Sequence, residues 1–148
     1  MISEKRLKIL LTVITVGWIL VIFINSLMSG EASSKNSDGV LKIINDILAV
    51  IKAPFSLTSY TVRKSAHFLE YAVLGGLAFW TLRGYTKRMI YPLYFGLAVP
   101  VADECIQLFS NGRAGMVEDV VLDYSGFLTG LWLMFGVYML IRRLKYAK

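Results

Sequence analysis

Four long, largely apolar stretches constrain this chain more than any other feature in it. They run from about Leu7 to Met28, Ser65 to Leu82, Met89 to Phe109 and Met116 to Ile141. A bilayer core about 30 Å thick takes roughly 20 residues of helix to cross. Hydrophobic residues make up 56% of the chain, against roughly 45–50% in a soluble domain. Lipid offers the backbone no hydrogen-bond partner, so a crossing segment must be a helix or part of a closed barrel. The stretches lack the alternation of barrel strands. The expected fold is all-α: a polytopic membrane protein, one four-transmembrane-helix bundle over residues 1–148.

Lys5, Arg6 and Lys8 before the first stretch, and Gly30-Glu31-Ala32 after it, imitate a secretory signal. A signal's apolar core is only about 7–15 residues long, so a retained span is expected instead. The polar, small residues from Glu31 to Gly39 predict a loop. After them Val40, Ile43, Ile44, Ile47, Leu48 and Ile51 share one helical face, with Lys42, Asn45, Asp46 and Lys52 largely on the other. That spacing predicts a short amphipathic helix over about 40–52, too short to span, before Pro54. It suits a helix lying in the membrane interface or one packed as a lid over the spans.

The charges choose an orientation. Lys5, Arg6, Lys8, Arg83, Lys87, Arg88, Arg142, Arg143, Lys145 and Lys148 flank one side of the expected spans, with Glu4 the one acid among them. The remaining six basic residues and nine acids fall elsewhere. Basic residues mark the cytoplasmic side, so both termini are expected in the cytoplasm. The same placement explains the net charge of +6 without nucleic acid as a partner. The single cysteine, Cys105, excludes an internal disulfide and a thiol-based zinc site.

With that topology the polar turns of all four spans fall toward the outer face. Asn25 and Ser26 close the first, while Arg63, Lys64, His67, Glu70 and Tyr71 open the second. Asp103, Glu104 and Gln107 close the third, and Arg113, Glu118, Asp119 and Asp123 lead into the fourth. Helical spacing puts Arg63, His67, Glu70 and Tyr71 on one face, Asp103 with Gln107 on another, and Asp119, Asp123, Gly126 and Gly130 on a third. Charge at depth costs roughly 2.5–3.5 kcal/mol or more, so such stripes are expected to turn inward and find partners. Headgroup wetting is the simpler account for Lys64, Arg113 and Glu118. Six carboxylates (Glu70, Asp103, Glu104, Glu118, Asp119, Asp123) outnumber Arg63, Lys64 and Arg113. Such a surplus calls for protonation, an outside cation or a bound metal.

That balance makes His67, Glu70, Asp103 and Asp123 the candidate catalytic groups. Arg63, Tyr71, Glu104, Gln107, Arg113 and Asp119 are candidate ligand-binding groups. Glu70, Asp103, Asp119 and Asp123 are candidate oxygen ligands for a divalent cation such as Mg²⁺ or Ca²⁺; zinc would lean on His67 together with carboxylates. Known signatures are mostly missing. One histidine rules out a two-histidine lipid phosphatase. Gly115, Asp119 and Asp123 match only the tail of the CDP-alcohol phosphotransferase motif. No P-loop, G-x-S-x-G or H-E-x-x-H occurs. Gly126 and Gly130 form a small-xxx-small pair, suited to packing inside the bundle or to a homo-oligomer.

Taken in order, Arg63-Lys-Ser-Ala-His-Phe-Leu-Glu-Tyr71, Asp103-Glu-Cys-Ile-Gln107, Gly112-Arg113 and Glu118-Asp-Val-Val-Leu-Asp-Tyr-Ser-Gly126 resemble the VanZ-like family of bacterial membrane proteins. The resemblance covers about residues 7 to 141. One departure is Ile106, where many similar members carry a second histidine. The resemblance implies a multi-pass protein of the bacterial cytoplasmic membrane and a role in the cell envelope. The family's namesake is linked to low-level resistance to teicoplanin-type lipoglycopeptides.

Three functions fit these residues. The first is an outward-facing polar cavity that binds a membrane lipid headgroup or a lipid-linked wall precursor, and so modulates lipoglycopeptide susceptibility. The second is a membrane enzyme acting on a phospholipid or polyprenyl phosphate, with a carboxylate-held divalent cation clamping the phosphate, His67 or Glu70 as base and Arg63 or Arg113 stabilising charge. The third is a transporter or flippase, for which four spans are few and only Pro100 suggests a broken helix.

Overall fold

The computed structural model describes residues 3–52 and 54–146. Five α-helices and no strand occur among them: α1 Glu4–Leu27, α2 Gly30–Val50, α3 Ser59–Arg83, α4 Ile90–Gln107 and α5 Val117–Tyr146. Side-chain oxygens cap three of the helix starts. Ser3 accepts from Arg6 N, Ser29 from Ala32 N, and Thr58 from Thr61 N, each satisfying one amide that the first helical turn leaves free.

Two of the four expected spans, α1 and α5, are long and apolar enough to cross a membrane by length and composition. Helices α3 and α4 do not meet that measure. Their polar ends, Arg63 to Glu70 and Asp103 to Gln107, dilute runs that are otherwise apolar. Along α1 and α5 the large apolar side chains point outward: Ile9, Val13, Leu20, Ile24, Leu133, Val137 and Leu140 are all exposed. Contiguous exposed apolar surface of that extent marks a membrane or an interaction face.

The stretch 31–39, expected as a loop, is helical and forms the first half of α2. Its residues are small and polar, yet the Ser29 cap and Glu31 in the first turn start a helix there. Ser37 Oγ donates back to the Ser33 carbonyl, 3.0 Å away, so that hydroxyl is satisfied within the helix. The apolar face expected on residues 40–51 is present, and Val40, Ile43, Ile47, Val50 and Ile51 are exposed along it. The connection beyond turns back on the helix. Asn45 Nδ2 donates to the Leu57 carbonyl at 3.2 Å, and Leu57 N donates to Asn45 Oδ1 at 2.9 Å.

Helices α3 and α5 form the closest pair in the molecule, and glycine makes that possible. A Cβ on Gly126 would strike the Phe68 carbonyl, one on Gly130 the Ala72 carbonyl, and one on Gly75 the Phe127 carbonyl. The small-xxx-small stripe therefore packs against α3 of the same chain. Around this seam Ile22, Tyr71, Leu74, Ala78, Phe79, Val99, Phe127 and Leu131 make the buried core.

One end of the bundle is closed by aromatic rings and paired hydroxyls. Thr15 and Thr81 share a buried hydrogen bond of 2.8 Å, and Thr12 meets the Tyr85 hydroxyl at 2.9 Å. The Arg83 guanidinium lies 3.8 Å from the Tyr138 ring centre. At the opposite end Gly30 N donates to the Asn111 carbonyl at 3.0 Å. That bond ties the α1–α2 junction to the connection between α4 and α5, directly over the acidic and basic residues.

Candidate functional site

Each helix brings its polar stripe to that second end. On α3 the four-residue spacing of Arg63, His67 and Tyr71 puts all three on one face. On α4, Asp103 and Gln107 are one turn apart, and on α5, Asp123 lies one turn below Asp119. Asp103, Asp123 and Tyr71 are fully buried. His67, Asp103 and Asp123 each place a ligand atom within 4.8 Å of the others, and His67 Nδ1 stands 3.7 Å from Asp123 Oδ1.

The surrounding hydrogen bonds hold some of these groups and leave others free. Gln107 Nε2 donates to Asp103 Oδ2 and to Glu104 Oε1, both at 3.2 Å. Met116 N donates to Glu104 Oε2 at 2.8 Å, so both oxygens of Glu104 are occupied. By contrast His67 Nδ1, Tyr71 OH, Asp103 Oδ1 and both oxygens of Asp123 are buried with no hydrogen-bond partner. Buried polar atoms are nearly always paired. Five such atoms, from four residues on three helices, gather in one place.

Glu70 and Asp119 stand apart from this trio. Glu70 Oε1 accepts from Asn25 Nδ2 at 2.9 Å, and its carbonyl accepts from Trp18 Nε1 at 3.0 Å. Asp119 is in an ion pair with Lys64 at the rim. The four carboxylates Glu70, Asp103, Asp119 and Asp123 therefore do not converge as one oxygen set. The converging group is His67 with Asp103 and Asp123.

Two clefts adjoin His67. One, of about 130 Å³, is lined by Arg63, Lys64, His67, Gln107, Arg113 and Asp119, among others. The second, about 170 Å³, lies between α1, α2 and α3, where Asn25, Ser33, Asn36, Ser37 and Glu70 join Arg63, His67 and Arg113. His67 and the two arginines border both. Arg113 reaches back to donate to the Asn25 carbonyl at 3.4 Å. Burial and then the nearby Arg63 lower the Arg113 guanidinium from its ordinary value, but a guanidinium remains charged in proteins. Among the described residues neither Arg63 nor Arg113 has a carboxylate within ion-pair distance.

The α2 wall of the second cleft went unforeseen because 31–39 was expected to be a loop. Its signal is present in the sequence all the same: Ser33, Asn36 and Ser37 sit at i, i+3 and i+4. The partnership of Asn25 with Glu70 depends on how α1 leans on α3, and no local pattern encodes it.

Chemically, the arrangement offers two guanidiniums without carboxylate partners, bordering the same clefts as the His67 imidazole. No curated protein and no solved structure matches the chain. The VanZ/LLP1 family model, however, matches residues 11–142, nearly the whole chain and all of the site, and the chain belongs to the VanZ/LLP1 family.

Proposed function

We propose that this is a four-span protein of the bacterial cytoplasmic membrane, with both termini cytoplasmic. Its outward clefts bind the phosphate of a lipid headgroup or of a lipid-linked wall precursor. In this reading α3 and α4 are the two further spans. At 1.5 Å per residue the 18 residues of α4 reach about 27 Å, close to the thickness of a hydrocarbon core. The basic residues at the termini and in the α3–α4 connection support that orientation. Cysteines placed at Lys87 and Lys35 in a Cys105→Ala background test it. An impermeant reagent on intact cells labels position 35 and not 87; the reverse pattern overturns the topology.

The observation that carries the binding reading is the pair of arginines without carboxylate partners. An unpaired guanidinium bordering a cleft is a ready donor fork for phosphate oxygens. The first cleft has room for a tetrahedral anion or a few waters, at about 30 Å³ of liquid volume per water. Occupying headgroups at the outer leaflet is also a route to altering how lipoglycopeptides engage the membrane.

The direct test is binding of dihexanoyl phosphatidic acid to the detergent-purified protein in EDTA, followed by tryptophan fluorescence. Trp18, bonded to the Glu70 carbonyl beside the second cleft, is the reporter. Arg63→Gln and Arg113→Gln should each weaken binding about tenfold, since a hydrogen bond to a charged group contributes about 1.5–3 kcal/mol. Unchanged affinity in the double variant overturns the reading. Release of inorganic phosphate from the probe would make the site catalytic, as in the enzyme reading.

A further inference from the structure

We infer that His67, Asp103 and Asp123 form a binding site for one divalent cation, of the Mn²⁺ or Zn²⁺ class, beside the first cleft, which His67 lines. Three helices contribute one ligand each, and the three candidate ligand atoms already lie within 4.8 Å of one another. On a single ion with bonds of about 2.1 Å, neighbouring ligand atoms stand roughly 3–4 Å apart. The 3.7 Å from His67 Nδ1 to Asp123 Oδ1 falls in that range.

Charge proximity alone does not make this a site; the orphaned atoms do. Asp123 is wholly buried and neither of its oxygens has a partner. The Tyr71 hydroxyl is buried beside the same two aspartates. No lysine or arginine lies within ion-pair distance of Asp103 or Asp123 among the described residues. Two carboxylates, a neutral imidazole and a divalent ion sum to zero charge, which suits a buried setting.

The second layer is built as metal sites require. Gln107 Nε2 holds Asp103 Oδ2 at 3.2 Å, which fixes the carboxylate plane and leaves Oδ1 free for the ion. One nitrogen with two carboxylate oxygens suits Zn²⁺, which takes imidazole and carboxylate ligands alike, and Mn²⁺, which carboxylate oxygens bind readily. Three protein ligands leave a coordination position open. Because His67 and Gln107 line the first cleft, the open side faces the space that Arg63 and Arg113 border. That this position meets a phosphate oxygen rests on the headgroup reading above; the ion's own seat does not.

The test uses MnCl₂ and ZnCl₂ as probes on the full chain in detergent, without lipid. After incubation and desalting, elemental analysis should find one equivalent of Mn or Zn per chain. His67→Gln and Asp123→Asn should each weaken binding about tenfold or more, while exposed Glu118→Gln leaves it unchanged. Thermal melts establish that each variant is folded. If Asp123→Asn does not fold, His67→Gln at the cleft edge carries the test. No stoichiometric metal on the wild type, or equal metal on the wild type and the folded variants, overturns the site. Phosphatidic acid binding in EDTA is scored separately. Loss of metal with retained arginine-dependent binding refutes the cation alone, and the converse refutes the headgroup alone.

Discussion

The two ends of this bundle are built on opposite principles. At the aromatic end the buried hydroxyls of Thr15 and Thr81 satisfy each other, Arg83 rests against Tyr138, and Phe79, Trp80, Phe135 and Tyr138 pack edge to face or tilted. At the polar end His67, Tyr71, Asp103 and Asp123 are buried with atoms left over. A group that completes its hydrogen bonds internally contributes to holding helices together. A group left incomplete costs the folded protein free energy until water, a proton or a ligand completes it. The aromatic end is thus complete within itself, and the polar end is not.

The largest expected effect comes from breaking the seam that joins the two ends. Gly130→Leu would drive a side chain into the Ala72 carbonyl, a backbone atom with nowhere to go. The melting transition in detergent should fall by the equivalent of about 3 kcal/mol or more. The same shift would move Asp123 away from His67, so metal binding should fail with it. Wild-type melting would mean that α3 and α5 are not this close.

A smaller effect separates the two principles directly. Asp123→Asn replaces a buried carboxyl that has no lysine or arginine within ion-pair distance among the described residues. In EDTA its thermal stability should match or slightly exceed the wild type, within about 1 kcal/mol, although metal binding is lost. A clear fall in melting temperature would make Asp123 a structural residue like those of the other end, and the contrast would collapse.

The smallest expected effect sharpens the aromatic end. Thr15→Val and Thr81→Val each break one interhelical hydrogen bond, and their double-mutant cycle should show a coupling of about 0.6 kcal/mol. Binding at the far end should not change. Altered phosphatidic acid affinity in these variants would show that the two ends are not independent.

Much of this contrast was legible because helical spacing is local. Arg63, His67 and Tyr71 on α3, and Asp119, Asp123, Gly126 and Gly130 on α5, occur on the faces their four-residue spacing dictates. What was not legible depends on distance in sequence. Whether Asp119 goes to a metal or to Lys64 is decided by the approach of α5 to α3. Glu70 leaves the trio because Asn25, from α1, is within reach. The helical state of 31–39 was obscured because Ser, Asn and Gly are turn formers that disfavour helix, while the Ser29 cap and the continuation into the apolar face of 40–51 support it.

The α3–α5 seam also has a consequence in time. His67 belongs to the third helix, Asp103 to the fourth and Asp123 to the fifth, and the glycines that bring α3 and α5 together lie on both sides of the intervening α4. A chain made from its N-terminus presents α3 before the surface meant to receive it exists. Until the last helix arrives, Gly75 faces no Phe127 and His67 faces no Asp123. The site is therefore among the last parts of the molecule to come into being. A nascent chain halted before Val117 carries two of the three helices that bring His67, Asp103 and Asp123 together, and the third member of that trio is still to be made.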